Sequence, residues 1–394
     1  MTKPRDAVVA GHICLDLIPP FLGSRSDWKE AFQPGRLLKV GPVISTTGGA
    51  VSNTGRALHK LGVSTHLMGK VGDDLLGQAI LQVVRSQDPV LAEGMIVDAA
   101  VDSSYTVVIN PPGVDRIFLH CPGANDTFTA DDVNYEIVGQ TRLFHFGYPP
   151  LMSKMFERAG IQLKQMFQRV KAAGVTTSLD MAFPDPASPA GEADWTSILG
   201  QTLPHVDIFT PNVEEITYML DGERHQRLSD AAGDDEFASV VTPEMLTHLS
   251  DRLLDMGCGI VGLKLGARGF YVRTGGRDAI AALGRAAPSE TERWANRELW
   301  APCFEVEVKG TTGAGDATTA GFLAGLLADL SPVEAATSAV AVGGCAVEAA
   351  DTLKGIRPWD EIWQRVKRGW ARRPLQTEDN HWRRDQQSVW TREE

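Results

Sequence analysis

Gly310-Thr311-Thr312-Gly313-Ala314-Gly315-Asp316 runs directly into Ala317-Thr318-Thr319-Ala320-Gly321-Phe322-Leu323-Ala324-Gly325-Leu326-Leu327. Three glycines in seven residues predict a tight turn with open backbone. The apolar run predicts a helix, although its Thr and Gly are weak helix formers. A Gly-rich turn feeding a helix start aims several N–H groups at one point, and the helix dipole favours an anion there. As a ligand in such a nest, Asp316 would repel a phosphate. As a base it fits: it would take a hydroxyl proton while the nest holds the charge developing on a transferred phosphoryl group. An acidic residue in the first turn is also an ordinary helix-stabilising feature, so this string alone leaves both readings open.

Outward from this point the chain alternates strand and helix. Ala7 to Gly11 reads as a short buried strand, Leu37 to Ile44 as a second, and Val63 to Met68 as a third. Between the last two, Thr46-Thr47-Gly48-Gly49-Ala50-Val51-Ser52-Asn53-Thr54-Gly55 opens a helix. Another begins near Asp74, where an acidic residue suits a cap. Strand segments at 142–146, 175–180, 206–210 and 260–265 alternate with helical ones, which predicts parallel strands with helical crossovers. Residues 99–125 break the rhythm. Tyr105 to Ile109 and Ile117 to His120, joined by Pro111-Pro112-Gly113-Val114-Asp115, predict a hairpin that leaves the main sheet as a lid. Gly23 to Pro34 reads as a surface loop, 221–239 as a mobile insert, 277–297 as a polar insert, and 373–394 as a polar tail.

The chain has 394 residues, 43% hydrophobic and 22% charged, which suits one large α/β domain or one domain with a small appendage. A net charge of −12 argues against nucleic acid and against anionic membranes as partners. Five cysteines without a Cys-x-x-Cys pair predict free thiols in a reducing cytoplasm. The start lacks a signal-peptide core, and no apolar run is long enough to span a bilayer. No P-loop, Gly-x-Gly-x-x-Gly after the first strand, nucleophile elbow or His-Glu-x-x-His string is present.

The string Gly310 to Asp316 resembles the second signature of the ribokinase, or phosphofructokinase-B-type (PfkB), carbohydrate kinases. Gly310 stands where that family usually has Asp. Gly48-Gly49-Ala50-Val51-Ser52-Asn53, followed by Gly69, Gly72, Asp74 and Gly77, resembles the first signature. The resemblance implies a three-layer α/β/α sandwich with a mainly parallel sheet. Its kinase domain would span 1–372, with a small β lid from 12–45 and 99–125. It implies ATP-dependent phosphorylation of a hydroxyl on a sugar or sugar-like molecule, with Asp316 as base and the amides of Gly313, Ala314 and Gly315 as anion hole. Asp16, Gly48, Gly49 and Asn53 would face the sugar; a carboxylate and an amide can each pair with vicinal hydroxyls. Asn212, Lys264, Gly266, Gly269 and Thr312 would serve the nucleotide. Glu215 would order magnesium through water, since that hard cation keeps several waters. Asn212 and Glu215 also have the spacing of a capping box, and both readings can hold.

Asp180 falls in a segment that departs from the family's Asp-x-Asn-x-Arg, and Phe146-Gly147-Tyr148 lacks the acidic residue of ribose-specific members. The family also implies a potassium ion near the anion hole, held by carbonyls within 343–355, and a homodimer through the lid. A nucleoside kinase of this family is the alternative, with Tyr105, Phe118 or Tyr148 stacking on the base. A non-catalytic sugar- or nucleotide-binding protein is the alternative outside enzymes.

Overall fold

The computed structural model describes residues 6–22, 34–35, 37–110, 117–375, 381–385 and 387–392. The loop expected over 23–34, Pro34 aside, and the lid turn at 111–115 lie outside these residues. Strands are β1 (Ala7–Gly11), β2 (Cys14–Ile18), β3 (Ile44–Gly48), β4 (Thr65–Met68), β5 (Lys70–Gly72), β6 (Ile96–Asp98), β7 (Tyr105–Ile109) and β8 (Ile117–Cys121). They continue with β9 (Leu143–Gly147), β10 (Thr176–Asp180), β11 (Ile208–Phe209), β12 (Ile260–Lys264), β13 (Phe270–Thr274), β14 (Glu298–Ala301), β15 (Trp382–Arg384) and β16 (Trp390–Arg392).

Side-chain alternation along β1 generates two cores. Ala7 and Val9 point to one, with apolar residues of the helices Ala50–Lys60, Ala314–Leu327 and Pro332–Val347. Val8 and Ala10 point to the other, packed by the helices Ser153–Ala172, Trp195–Thr202, Val213–Leu220 and Pro243–Asp255. Helices therefore cover both faces, as parallel strands require. The sheet has ten strands in the order β15-β16-β14-β13-β12-β11-β10-β9-β1-β4. The six strands from β12 to β4 are parallel, and the other four run antiparallel beyond β12. This is the expected α/β/α sandwich.

A second sheet, β3-β2-β7-β8, forms the lid. The predicted hairpin strands are present as β7 and β8, with Val107 opposite Leu119. The strand expected over 37–44 instead occupies 44–48. Register with β2 decides this: Cys14 to Ile18 pair with Gly48 to Ile44, so the strand runs to the Gly48-Gly49 turn itself. Leu37 is 96% exposed and joins no sheet.

The inserts differ from expectation. Residues 221–239 form the helix Gly222–Ala232 and a short 3-10 turn, packed through Leu228, Phe237 and Ala238. Residues 277–297 bury Ile280, Leu283, Ala286 and Trp294, the last against Phe322 at 6.2 Å between ring centroids. Isolated apolar residues in a polar stretch carried this packing. The tail is docked, since β16 pairs with β14 and β15 pairs with β16. All five cysteines are free thiols, and no helix among the described residues is long and apolar enough to cross a membrane.

Trp294→Ala tests whether the 277–297 insert is part of the core. It should cost about 3–5 kcal/mol, the usual loss for an emptied Trp site. The check is the urea unfolding midpoint; an unchanged midpoint would mean that the insert is a detachable surface loop.

Candidate active site

The carboxyl ends of β1, β9, β10 and β12 converge where ligands bind in open parallel sheets. A cleft of about 880 Å³ lies between this edge and the lid, lined by His12, Asp16, Gly48, Gly49, Asn53, Thr106, Phe118, His120 and Tyr148, among others. The two adjacent glycines are required by close approach. A Cβ on Gly48 would fall 2.4 Å from Asp16 Oδ2. Gly49 has φ 86°, and a Cβ there would fall 2.4 Å from the His12 carbonyl oxygen. Asp16 comes from lid strand β2 and Asn53 from the first turn of the Ala50–Lys60 helix, so the acceptor cleft is lined from both bodies.

On the other side of the 310–316 turn lies a second cleft of about 420 Å³. Its lining includes Asn212, Glu215, Glu236, Lys264, Gly266, Gly269, Gly313, Ala314, Gly315 and Asp316, with Phe304, Val306, Val308 and Val340 forming an apolar part. Gly313 and Tyr148 line both clefts, so the two meet there. Thr312 lines the first cleft, while Thr311 lines the second with Asn212, Lys264, Gly266 and Gly269. Within this turn, Ala314 N–H donates to Thr311 O at 3.1 Å and Gly313 is left-handed at φ 72°.

Asp316 is 2% exposed and sits in the first turn of the Ala314–Leu327 helix. Three donors hold its carboxylate: Asn53 Nδ2 at 3.0 Å and Tyr148 OH at 2.7 Å on Oδ2, and Thr54 Oγ1 at 3.1 Å on Oδ1. Tyr148 reaches it from the end of β9 in a left-handed conformation, φ 69°, uncommon for a bulky residue. Its phenol is held well above its ordinary pKa by burial, with Asp316 adding. Of the expected anion-hole amides, Ala314 N–H is used within the turn. At Gly310, a Cβ would stand 3.1 Å from the carbonyl oxygens of Ala349 and Ala350, which crowds any side chain there.

The pfkB family carbohydrate kinase model matches residues 5–357. The chain belongs to the PfkB carbohydrate kinase family. It is 25% identical to fructokinase-1 of Zea mays over 337 residues, covering 85% of this chain and 87% of that one. It is also 25% identical over 260 residues to an uncharacterized sugar kinase of Archaeoglobus fulgidus, covering 66% and 82%. In fold it is similar to Arabidopsis thaliana ribokinase complexed with ribose and ATP, with TM-score 0.68, 18% identity and 92% and 98% coverage. It is likewise similar to a Xylella fastidiosa fructokinase with bound ATP, with TM-score 0.66, 17% identity and the same coverage.

In this PfkB kinase the charge beneath the turn is a buried network. Lys264 Nζ donates to Asp180 Oδ1 at 2.6 Å and Oδ2 at 2.7 Å. Asp180 also accepts from Met181 N–H at 2.8 Å and Thr319 Oγ1 at 3.3 Å. Lys264 lies under Gly315, its Nζ 3.6 Å from where a Cβ would stand. Its ammonium is thus already committed to a counter-charge, as burial demands. Burial alone would depress Lys264, but Asp180 and Glu215 outweigh it and hold it protonated. Burial pushes Asp180 up to about 7 against the pull of Lys264, with Glu215 and Asp316 adding. One ammonium faces three carboxylates, so negative charge is in surplus. Asn212 and Glu215 form the capping box, Glu215 Oε2 accepting from Asn212 N–H at 2.8 Å, and both line the cleft.

Sequence reading missed Thr54, His12 and His120 and gave Tyr148 another role. His12 Nε2 lies 3.3 Å from His120 Nε2, and His120 Nδ1 lies 3.0 Å from Thr106 Oγ1, joining body to lid. Burial, with His120 nearby, pulls His12 down to about 3, so both rings stay neutral at neutral pH. Thr54 follows Asn53 directly and was the one legible addition. His145 is a buried sheet histidine on Ser178 Oγ at 2.9 Å.

The Lys264–Asp180 pair carries a stability prediction. Asp180→Asn or Lys264→Met alone should cost about 3–5 kcal/mol by stranding a buried charge, and the double variant should recover much of the loss. Chemical denaturation of all four proteins checks the cycle; additive losses would mean that the pair is not coupled.

Proposed function

We propose that the chain transfers the terminal phosphate of ATP to a hydroxyl of a sugar or sugar-like acceptor. The observation that carries this reading is Asp316, a buried carboxylate held beside the point where the two clefts meet. In this reading the acceptor hydroxyl gives its proton to Asp316 as its oxygen attacks the γ-phosphorus, and ADP leaves. The N–H groups of Gly313 and Gly315, at a helix N-terminus, favour the charge on the transferring group. Asn53, Thr54 and Tyr148 aim the carboxylate. Asp16 accepts from acceptor hydroxyls, with Asn53 on the opposite wall.

No cluster of three His, Cys, Asp or Glu side chains suited to a metal exists among the described residues. That fits magnesium carried by the nucleotide phosphates, which Glu215 would hold through water. Bound there, the ion neutralises phosphate charge. Lys264 acts through Asp180 and Gly315 more than as a free phosphate ligand.

A nucleoside acceptor is the second reading, favoured by Phe118, Phe156 and Phe183 in the lining of the roomy acceptor cleft. Tyr105 does not line it, and the Tyr148 hydroxyl is spent on Asp316. ADP release measured against a panel of sugars and nucleosides decides between them, and no turnover with any member would reject both.

Asp316→Asn should lower kcat by about 10²–10⁴-fold with nucleotide binding retained. Near-normal turnover would remove Asp316 as base. A second test uses pH. Burial raises Asp16 to about 6, against hydrogen bonds from Cys14 and Thr106. The carboxylate form accepts from acceptor hydroxyls, so kcat/KM for the acceptor should fall as pH drops through about 6. Asp16→Asn should abolish that limb of the profile; a limb that survives the substitution assigns it to another group.

A further inference from the structure

The matched family region ends at residue 357, yet Arg373, beyond it, lines the nucleotide-side cleft. Segment 370–373 runs antiparallel to 303–305: Glu305 N–H donates to Ala371 O at 2.8 Å, and Arg373 N–H to Cys303 O at 2.8 Å. Trp370 stacks on Phe304 with centroids 4.3 Å apart. Arg372 covers the other face of this contact, its guanidinium 4.3 Å from the Phe304 centroid and bonded to Pro302 O and Thr337 Oγ1. The next residue, Arg373, lines the cleft beside Gly266, Cys303 and Glu236.

Arg373 is exposed, and its guanidinium makes no hydrogen bond or ion pair among the described residues. The other cation in the lining, Lys264, is spent on Asp180. Glu215, Glu236 and Asp316 also line the cleft, so among the charged side chains of its lining Arg373 is the cation left to meet a polyanion. The distal strands hold the segment in place. Trp382 on β15 is buried against Tyr271 and Trp300, and Arg392 on β16 donates to Thr247 Oγ1 at 2.9 Å and stands 3.5 Å from the buried Glu298.

We propose that the C-terminal segment is part of the nucleotide site, and that Arg373 binds the phosphate chain of a nucleoside triphosphate. This rests on the nucleotide reading of the second cleft. It makes Arg373 a binding residue; no role in proton transfer is assigned to it.

The experiment is calorimetric titration of the full chain with the magnesium complex of a non-hydrolysable ATP analogue, and separately with adenosine. Arg373→Ala should weaken the analogue about tenfold, the typical loss of one charge-assisted contact, and leave adenosine unchanged. Arg373→Lys should keep most of the affinity, Arg373→Glu should lose more than Ala, and the wild-type advantage should shrink with added salt. Unchanged analogue affinity in Arg373→Ala would overturn the proposal, as would an equal loss for adenosine. If the wild-type chain binds neither probe, the nucleotide reading itself fails, which is a different result from binding that ignores Arg373. Retained adenosine binding in the variants shows that they are folded.

Discussion

A carboxylate buried at the head of a helix is tolerable only when its oxygens are filled, because an unpaired buried charge is expensive. Asp316 meets this condition through side chains from two other elements: Asn53 and Thr54 from the Ala50–Lys60 helix and Tyr148 from the end of β9. The rest of the site depends on that arrangement. It fixes the Ala314–Leu327 helix against the Ala50–Lys60 helix, brings the Gly48-Gly49 turn beside Gly313, and draws Tyr148 into its left-handed backbone.

Beneath this layer, Lys264 and Asp180 answer a different constraint. An ammonium inside the sheet edge needs a counter-charge, and the strand end of β10 supplies one. The pair gives the acidic cluster of Asp180, Glu215 and Asp316 its fixed positive charge. Asp180 keeps this place although its segment departs from the family pattern. Its carboxylate faces inward to the lysine.

Much of this was legible in sequence, for physical reasons. Asp316, Gly313, Gly315 and Asn53 sit in strings whose glycine spacing marks a turn built for close approach, while the roles expected of them, and of Asp16, came from the family resemblance. That the main sheet holds parallel strands with helical crossovers followed from strand–helix alternation. What stayed hidden was long-range. Tyr148 and His120 act at the site across more than a hundred residues from Asp316 and His12, and nothing local marks such a partner. Thr311, which lines the second cleft, had no signal of its own in the sequence. The strand at 44–48 was misplaced because an exposed apolar stretch before it looked like a strand, while pairing with β2 fixed the true register. Sparse apolar residues in the two inserts hid packing that only Trp294, Leu228 and Phe237 reveal.

The docking of β15 and β16 has a further consequence. A main sheet that stopped at β14 would offer a row of unsatisfied backbone donors and acceptors to any passing extended chain. The terminal pair moves that border outward to a strand of three residues, Trp382–Arg384, whose Trp turns inward while Arg383 and Arg384 face solvent. A short border carrying like charges repels a second copy of itself, so the same segment that lines the cleft through Arg373 also guards the sheet against uncontrolled self-association.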